Sequence, residues 1–284
     1  MKVRRFLLEN EKGQRYRLDS LNEGCFLTSP SNLGYSYESD FERLGYNFIE
    51  NNRKIEQKNP SGTAYFKSYD KVKEFIDFIE NSIKLKWIYI VPYDSTEKTY
   101  YRDVSMIRLD KTEKEGKWLA CPVEFAGLSL WYEENTVIYT ITPQTDEIRW
   151  DFKWDSKFSD YDSRNLQYVN KGHTDAPILV QMDGHLVNPR IELYVDGELY
   201  QSVKITVEIQ EYEKLLYGTK ENDFYIMKQN TDGTTTSLFD LDHIDFENDN
   251  VIRIPVNRSC ELRLTADNEV LNAQVTVLPQ YKAV

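Results

Sequence analysis

Apolar residues in this chain follow one period over a single short stretch and another nearly everywhere else. Between Ser68 and Lys84, the residues Val72, Phe75, Ile76, Ile79 and Ile83 recur at the i, i+3, i+4, i+7 and i+11 spacing that lines one face of an α-helix. The spacing predicts a helix over about 69–84, capped by Ser68 and supported by a Glu80–Lys84 pair one turn apart. Its apolar face is expected to be core.

Elsewhere the pattern is that of strands. Val3 to Leu8 and Gln14 to Leu18 read as a hairpin through Asn10-Glu11-Lys12-Gly13, where Gly13 can supply a positive φ. Leu85 to Val91 reads as a strand ended by Pro92, and Thr99 to Leu109 and Lys117 to Trp131 supply more. Between Tyr35 and Lys58 the character changes: Tyr37, Phe41, Leu44, Tyr46, Phe48, Ile49 and Ile55 are spread among charges. This predicts a long two-stranded arm over about 35–58, turning near Leu44-Gly45. An isolated ribbon with so much apolar surface is marginal by itself, so something else is expected to cover it.

A shift near Glu133-Glu134-Asn135 marks a boundary, after which no segment has helical period and short strands recur. Asp196-Gly197 joins Pro189–Val195 to Glu198–Glu208, and Asp232-Gly233 joins Phe224–Met227 to Thr234–Phe239. Val251–Val256, Cys260–Thr265 and Val270–Leu278 complete at least seven strands, the signature of an antiparallel sandwich or jelly roll. The fold class expected is mainly β. An α+β N-terminal domain (1–135), with one helix and the arm, precedes an all-β C-terminal domain (136–284).

Composition narrows the function. Thirty-five Lys and Arg against 47 Asp and Glu leave a formal charge of −12, which argues against stable nucleic-acid binding because that rests on clustered cations. No apolar run approaches the ~20 residues of a bilayer span, so membrane insertion is not expected. Glu9 and Glu11 interrupt the start before a signal-peptide core can form, so a cleaved signal is not expected either. With 20 Tyr and 13 Phe against 12 Gly, the chain suits pleated surfaces and interfaces.

Candidate chemistry is sparse. Cys25, Cys121 and Cys260 are widely spaced among apolar neighbours and read as buried reduced thiols. His173, His185 and His243 have no zinc-ligand spacing, and nucleophile-elbow, phosphate-loop and dinucleotide motifs are all missing. No catalytic residue, cofactor or metal site is therefore assigned, and the chain is not expected to be an enzyme. The acids Asp240, Asp242, Asp245, Glu247 and Asp249 lack an EF-hand frame and read as a solvated loop, with a Ca²⁺ site as the alternative. Asp151, Asp155, Asp160 and Asp162 alternate with Phe152, Trp154, Phe158 and Tyr161, the mixture a glycosidase or sugar-binding cleft uses, although an aromatic strand with acids outward gives the same pattern.

In order, the motifs resemble the distal tail (Dit-like) proteins of siphophages. A hairpin leads to Pro30-Ser31-Asn32-Leu33-Gly34, the arm, and Thr63-Ala64-Tyr65-Phe66-Lys67 feeding one helix. Lys111 to Trp118 follows, then Val123-Glu124-Phe125 to Leu130-Trp131-Tyr132. In the second half, Tyr168 to Pro177, Met182-Asp183-Gly184 and Val187 to Ile191 are similar to the family's galectin-like domain. The resemblance implies a structural subunit of a bacteriophage or prophage tail tip or baseplate, made in the host cytoplasm. It implies a hexameric ring hub that joins tail tube to adhesion apparatus and lets DNA pass. The implied partners are the tail tube protein, a tail-associated lysin or hub protein, and receptor-binding or baseplate proteins. It also implies that Tyr37, Phe41, Leu44, Tyr46, Phe48 and Ile49 are covered by a neighbouring subunit. The alternative is a carbohydrate-binding module in which Trp150, Trp154 and Tyr161 contact a glycan; a glycoside hydrolase is the third reading.

Overall fold

The computed structural model describes residues 4–93, 96–112, 114–140, 165–240, 242–244, 251–268 and 272–284. Antiparallel strands dominate, and among the described residues there is one α-helix. The chain divides into two compact units, Met1–Glu133 with Gln280–Val284, and Glu134–Pro279. The final five residues, expected in the second domain, thus lie in the first unit.

In the first unit the main strand order is Arg15–Arg17, Arg5–Asn10, Leu85–Tyr93, Thr96–Leu109, Trp118–Gly127, Ser61–Phe66, Cys25–Ser31 and Asp19–Ser20. The first and last members are one continuous stretch of chain interrupted at Leu18. Leu18 donates its N–H to the Phe6 carbonyl at 2.9 Å and accepts from the Leu27 N–H at 2.8 Å, so the sheet closes on itself. Closure removes the open edges that otherwise invite pairing with other chains. Period-two alternation then points one side of each strand inward: Leu119, Cys121, Val123 and Phe125 are buried while their neighbours Pro122 and Glu124 are half-exposed. Phe6 stacks on Tyr89 with ring centroids 4.8 Å apart, and Trp87 packs edge-on against both Phe6 and Phe125.

The helix spans Tyr69–Glu80, with Ser68 as its N-cap accepting from the Lys71 N–H, as predicted. It ends four residues before the predicted Lys84. Asn81 caps the Asp77 carbonyl, and the Glu11 carboxylate accepts from the N–H groups of Ile83 and Lys84 at 3.0 and 3.2 Å. A hairpin-turn carboxylate therefore takes the donors a further helical turn needs, and Ile83 is left 88% exposed. Val72 and Phe75 supply the buried face, Phe75 against Phe66 and Tyr16.

Two other boundaries differ from expectation. The Leu85–Tyr93 strand runs through Pro92, which pairs with Glu97 but lies past the last described pair with the first strand, Arg5↔Ile90. The expected Lys117–Trp131 strand breaks after Gly127, and Trp131–Tyr132 pair separately with Gln280–Tyr281.

The second unit is built on two antiparallel sheets. One has the order Asn135–Thr140, Asn272–Val277, Ala176–Asp183, Lys214–Lys220, Asp223–Gln229 and Thr235–Ser237; the other runs Asn165–Val169, Ser259–Thr265, Arg190–Val195 and Glu198–Lys204. Ile178, Val180, Met182, Tyr217 and Val275 from the first share a single core with Ile191, Leu193, Leu262 and Leu264 from the second. Both residues of the predicted Asp196-Gly197 turn have positive φ, 51° and 90°, as a type I′ hairpin requires. Asn170 is fully buried yet satisfied: its side-chain amide donates to the carbonyls of Thr174 and Ile254, and its oxygen accepts from Gly172 N–H, each at 2.8–2.9 Å.

Phe75→Ala is expected to lower the unfolding free energy by about 3–5 kcal/mol, because a ring is lost from a packed interior. Ile83→Ser, past the helix end and exposed, is expected to change it by no more than ~0.5 kcal/mol. Urea unfolding of the two variants checks both; equal losses would return Ile83 to the core.

Candidate functional site

Among the described residues, the most unusual apolar surface lies on the arm. Tyr37–Leu44 pairs with Asn47–Ile55 across a two-residue turn, Gly45-Tyr46, where Gly45 takes φ 64°. A glycine at the first turn position matches the II′ pattern that suits strand twist. The two strands pair only with each other, and no residue in either is buried. Phe41, Leu44 and Phe48 are each about two-thirds exposed, and Tyr46 at the tip is 96% exposed.

Register decides how these side chains are arranged. Phe41 lies opposite Glu50 and Arg43 opposite Phe48, which puts Phe41 and Phe48 diagonally together on one face. Glu42 lies opposite Ile49 and Leu44 opposite Asn47, which puts Leu44 and Ile49 together on the other. Each face of the ribbon therefore carries one apolar pair in its outer half, beside polar neighbours. Ser39 donates to Glu50 at 2.5 Å and Arg43 Nε to the Gly45 carbonyl at 2.9 Å, so the polar groups stiffen the ribbon along its length. Opposite the pair Glu38–Asp40 the ladder shifts register, and Asn52 takes φ 48°, a bulge that sharpens the local twist.

The roots of the arm are held by directed bonds. The fully buried indole of Trp131 donates to the Leu33 carbonyl at 3.1 Å on the way in. On the way out, Gln57 donates to the Gly127 carbonyl, and Arg102 Nη2 donates to the Lys58 carbonyl while its Nε donates to Ser129, all at 2.9 Å. Arg102 is only 5% exposed, and burial pushes its guanidinium down to about 10, still cationic at neutral pH. A methyl group on Gly127 would collide with both Arg102 and the Lys58 carbonyl, so glycine is required by close approach. Beyond the roots, Lys282 donates to the Tyr37 hydroxyl at 2.9 Å and Arg53 lies 3.7 Å over the Tyr37 ring. The Lys282 contact draws the phenol below its ordinary value.

Of the six arm residues singled out in the sequence, all sit on this hairpin, divided between two faces, the tip and, for Tyr37, the first rung just beyond the clamped roots. The clamp at the roots escapes sequence pattern, with one exception: Arg102 occupies an inward position beside Val104 in a strand, where a cation needs explaining. The glycan candidates Trp150, Trp154 and Tyr161, and the acids Asp151, Asp155, Asp160 and Asp162, lie outside the described residues. So do Asp245, Glu247 and Asp249, whereas Asp240 closes a local turn by accepting from Asp242 N–H and from both the N–H and the ring of His243. His185 pairs with Glu208 at 3.0 Å. Burial pushes the thiols of Cys25 and Cys260 up to about 12 and 11, which makes them inert at neutral pH. Among the described residues no group of His, Cys, Asp and Glu is arranged to hold a metal, and no helix is long and apolar enough to cross a membrane.

Residues 5–128, which contain the closed sheet, the helix and the arm, match the family described as the distal tail protein, N-terminal domain. Over its full length the fold is similar to a chain of the phage p2 baseplate in its activated conformation. The strontium form gives a TM-score of 0.70 at 16% identity, and the calcium form 0.69 at 15%, with 100% of both chains covered in each case. It is also similar to the Dit protein of SPP1, described as a paradigm of the hub adsorption apparatus in phages infecting Gram-positive bacteria, with a TM-score of 0.55, 11% identity and 98% of each chain covered. No curated protein matches in sequence. Residues 5–128, with the arm among them, thus form a distal tail protein N-terminal domain, within a mainly β fold that is similar over its full length to these phage baseplate and hub proteins.

Proposed function

We propose that the protein is a structural subunit of a siphophage tail tip, forming a hexameric ring hub that joins the tail tube to the host-adhesion apparatus. The observation that carries this reading is the arm with apolar residues on both faces. A ribbon laid on one surface needs only one such face; two apolar faces suit a ribbon enclosed by a neighbouring subunit. Contacts of this head-to-tail kind use different surfaces on the two partners, and repeated by rotation they close into a ring. The second unit, read as a galectin-like platform, docks receptor-binding or other baseplate proteins, while the first meets the tail tube and a tail-associated lysin or hub protein. A formal charge of −12 suits a passage through which DNA must travel without adhering. The protein works in the virion after synthesis in the host cytoplasm. No hydrolysis belongs to this role, since function rests on a site rather than on a fold.

Replacing Phe41, Leu44 and Phe48 together by Ser is expected to leave the melting temperature of the monomer nearly unchanged, as surface substitutions act within about ±0.5 kcal/mol. Assembly is expected to fail, because central apolar contacts contribute ~2 kcal/mol or more each and a ring repeats the loss at every joint. Light scattering and thermal unfolding on the same samples, with and without the adjoining tail proteins, check this. A variant that melts far earlier places the arm in the protein's own core, and one that stays folded and assembles places the joint elsewhere.

Enclosure on both sides makes a second, sharper prediction. The pair Phe41→Ser/Phe48→Ser and the pair Leu44→Ser/Ile49→Ser are each expected to weaken assembly by at least about tenfold, the equivalent of ~1.4 kcal/mol. If sedimentation shows one pair silent, the arm lies on a single surface. Pure protein is also expected to release no reducing sugar from cell-wall or capsular glycans; release abolished by changing one of Asp151, Asp155, Asp160 or Asp162 would establish the hydrolase instead.

A further inference from the structure

We propose that the last five residues, 280–284, act as a strap that fixes the direction in which the arm leaves the first unit, with Lys282 as its contact residue. Gln280 and Tyr281 pair in antiparallel register with Tyr132 and Trp131. The Tyr281 ring packs edge-on against Tyr100 at 5.6 Å and its hydroxyl donates to Glu133 at 3.3 Å. Tyr281 and Val284 both pack against the core of the first unit. Lys282 is therefore held between two anchored residues, which removes much of the entropy that ordering a long flexible side chain normally requires.

From that position its ammonium donates to the Tyr37 hydroxyl at 2.9 Å and lies 5.5 Å from the ring centroid. Tyr37 opens the ingoing strand of the arm, and its partner across the ladder is Ile55, the last residue of the outgoing strand. Arg53, also from the outgoing strand, covers the same ring at 3.7 Å, and Tyr35 packs edge-on against it at 5.5 Å. One phenol thus gathers both strands of the arm and the end of the chain. The Trp131, Arg102 and Gln57 bonds hold residues 33, 58 and 57, where the ribbon is still joined to the body. Lys282 touches the ribbon itself, and a contact placed farther along a lever resists its swing more effectively. The strap is a positioning element: it makes no part of the joint between subunits but sets where the joint residues Phe41, Leu44, Phe48 and Ile49 are presented. Its bearing on assembly rests on the reading of the arm given above.

The test uses the full chain with Lys282→Ala, Tyr37→Phe, the double variant and the conservative Lys282→Arg. Hydrogen exchange of monomer is followed over arm amides 38–54 and core amides 85–91, and the concentration midpoint of assembly is measured on the same proteins. Lys282→Ala is expected to speed arm exchange by about fivefold, the scale of one hydrogen bond opening locally, and to raise the assembly midpoint by a similar factor. Core exchange should stay unchanged, Lys282→Arg should restore both readouts, and the double variant should lose no more than Lys282→Ala alone. Unchanged arm exchange in Lys282→Ala overturns the strap, as does equal acceleration of core amides, which makes the tail a mere part of the fold. An unchanged midpoint overturns its role in assembly when the triple arm variant has failed to assemble. If that triple variant assembles, the arm reading itself falls and monomer exchange alone judges the strap.

Discussion

A two-stranded ribbon cannot bury its own side chains, since each face has neighbours along the ladder and nothing above it, and this constraint governs the first unit. Phe41, Phe48, Leu44 and Ile49 are exposed because the arm offers them no interior, not because their environment is polar. Surface of this kind persists in a monomer only at the risk of nonspecific association. Such a ribbon is useful only if its attitude is controlled, and control has to come from where it meets the body.

The body supplies the anchorage: a sheet closed through Leu18, with Phe75 packed in its core, carries the Trp131 and Arg102 side chains that bond the carbonyls of Leu33 and Lys58. Burying the Arg102 cation without a carboxylate costs stability, and burial alone drives its value down to about 10. What the guanidinium gives in return is geometry: a planar fork that reaches two carbonyls from different loops at once, with the absent side chain of Gly127 making room. A lysine in the same place could reach both oxygens but could not fix the angle between them.

How much of this was legible in the sequence follows from the range of the interactions. The Ser68 cap, the helix face, the arm with its turn and the Asp196-Gly197 hairpin depend on residues a few positions apart, and periodicity or turn chemistry reveals each. The end of the helix was misplaced because the competitor for its backbone donors, Glu11, lies 72 residues away. Trp131 bonds Leu33 across 98 residues and Lys282 bonds Tyr37 across 245, and no local pattern encodes either. The placement of the arm was therefore hidden, although its existence was plain.

The rung formed by Tyr132 and Gln280 has a topological meaning. The chain leaves the first unit at Glu133 and re-enters it at Gln280, beside the point of departure, so residues 134–279 form an insert within what is otherwise a simple antiparallel connection. Modules are gained, lost and exchanged most readily where their two ends are neighbours, because the host strands on either side need not be rebuilt. A short turn from Glu133 to Gln280 would leave every strand pairing of the first unit intact, including the return of Tyr281 to its place. The first unit can accordingly stay constant in evolution while the insert is exchanged, each under its own selection.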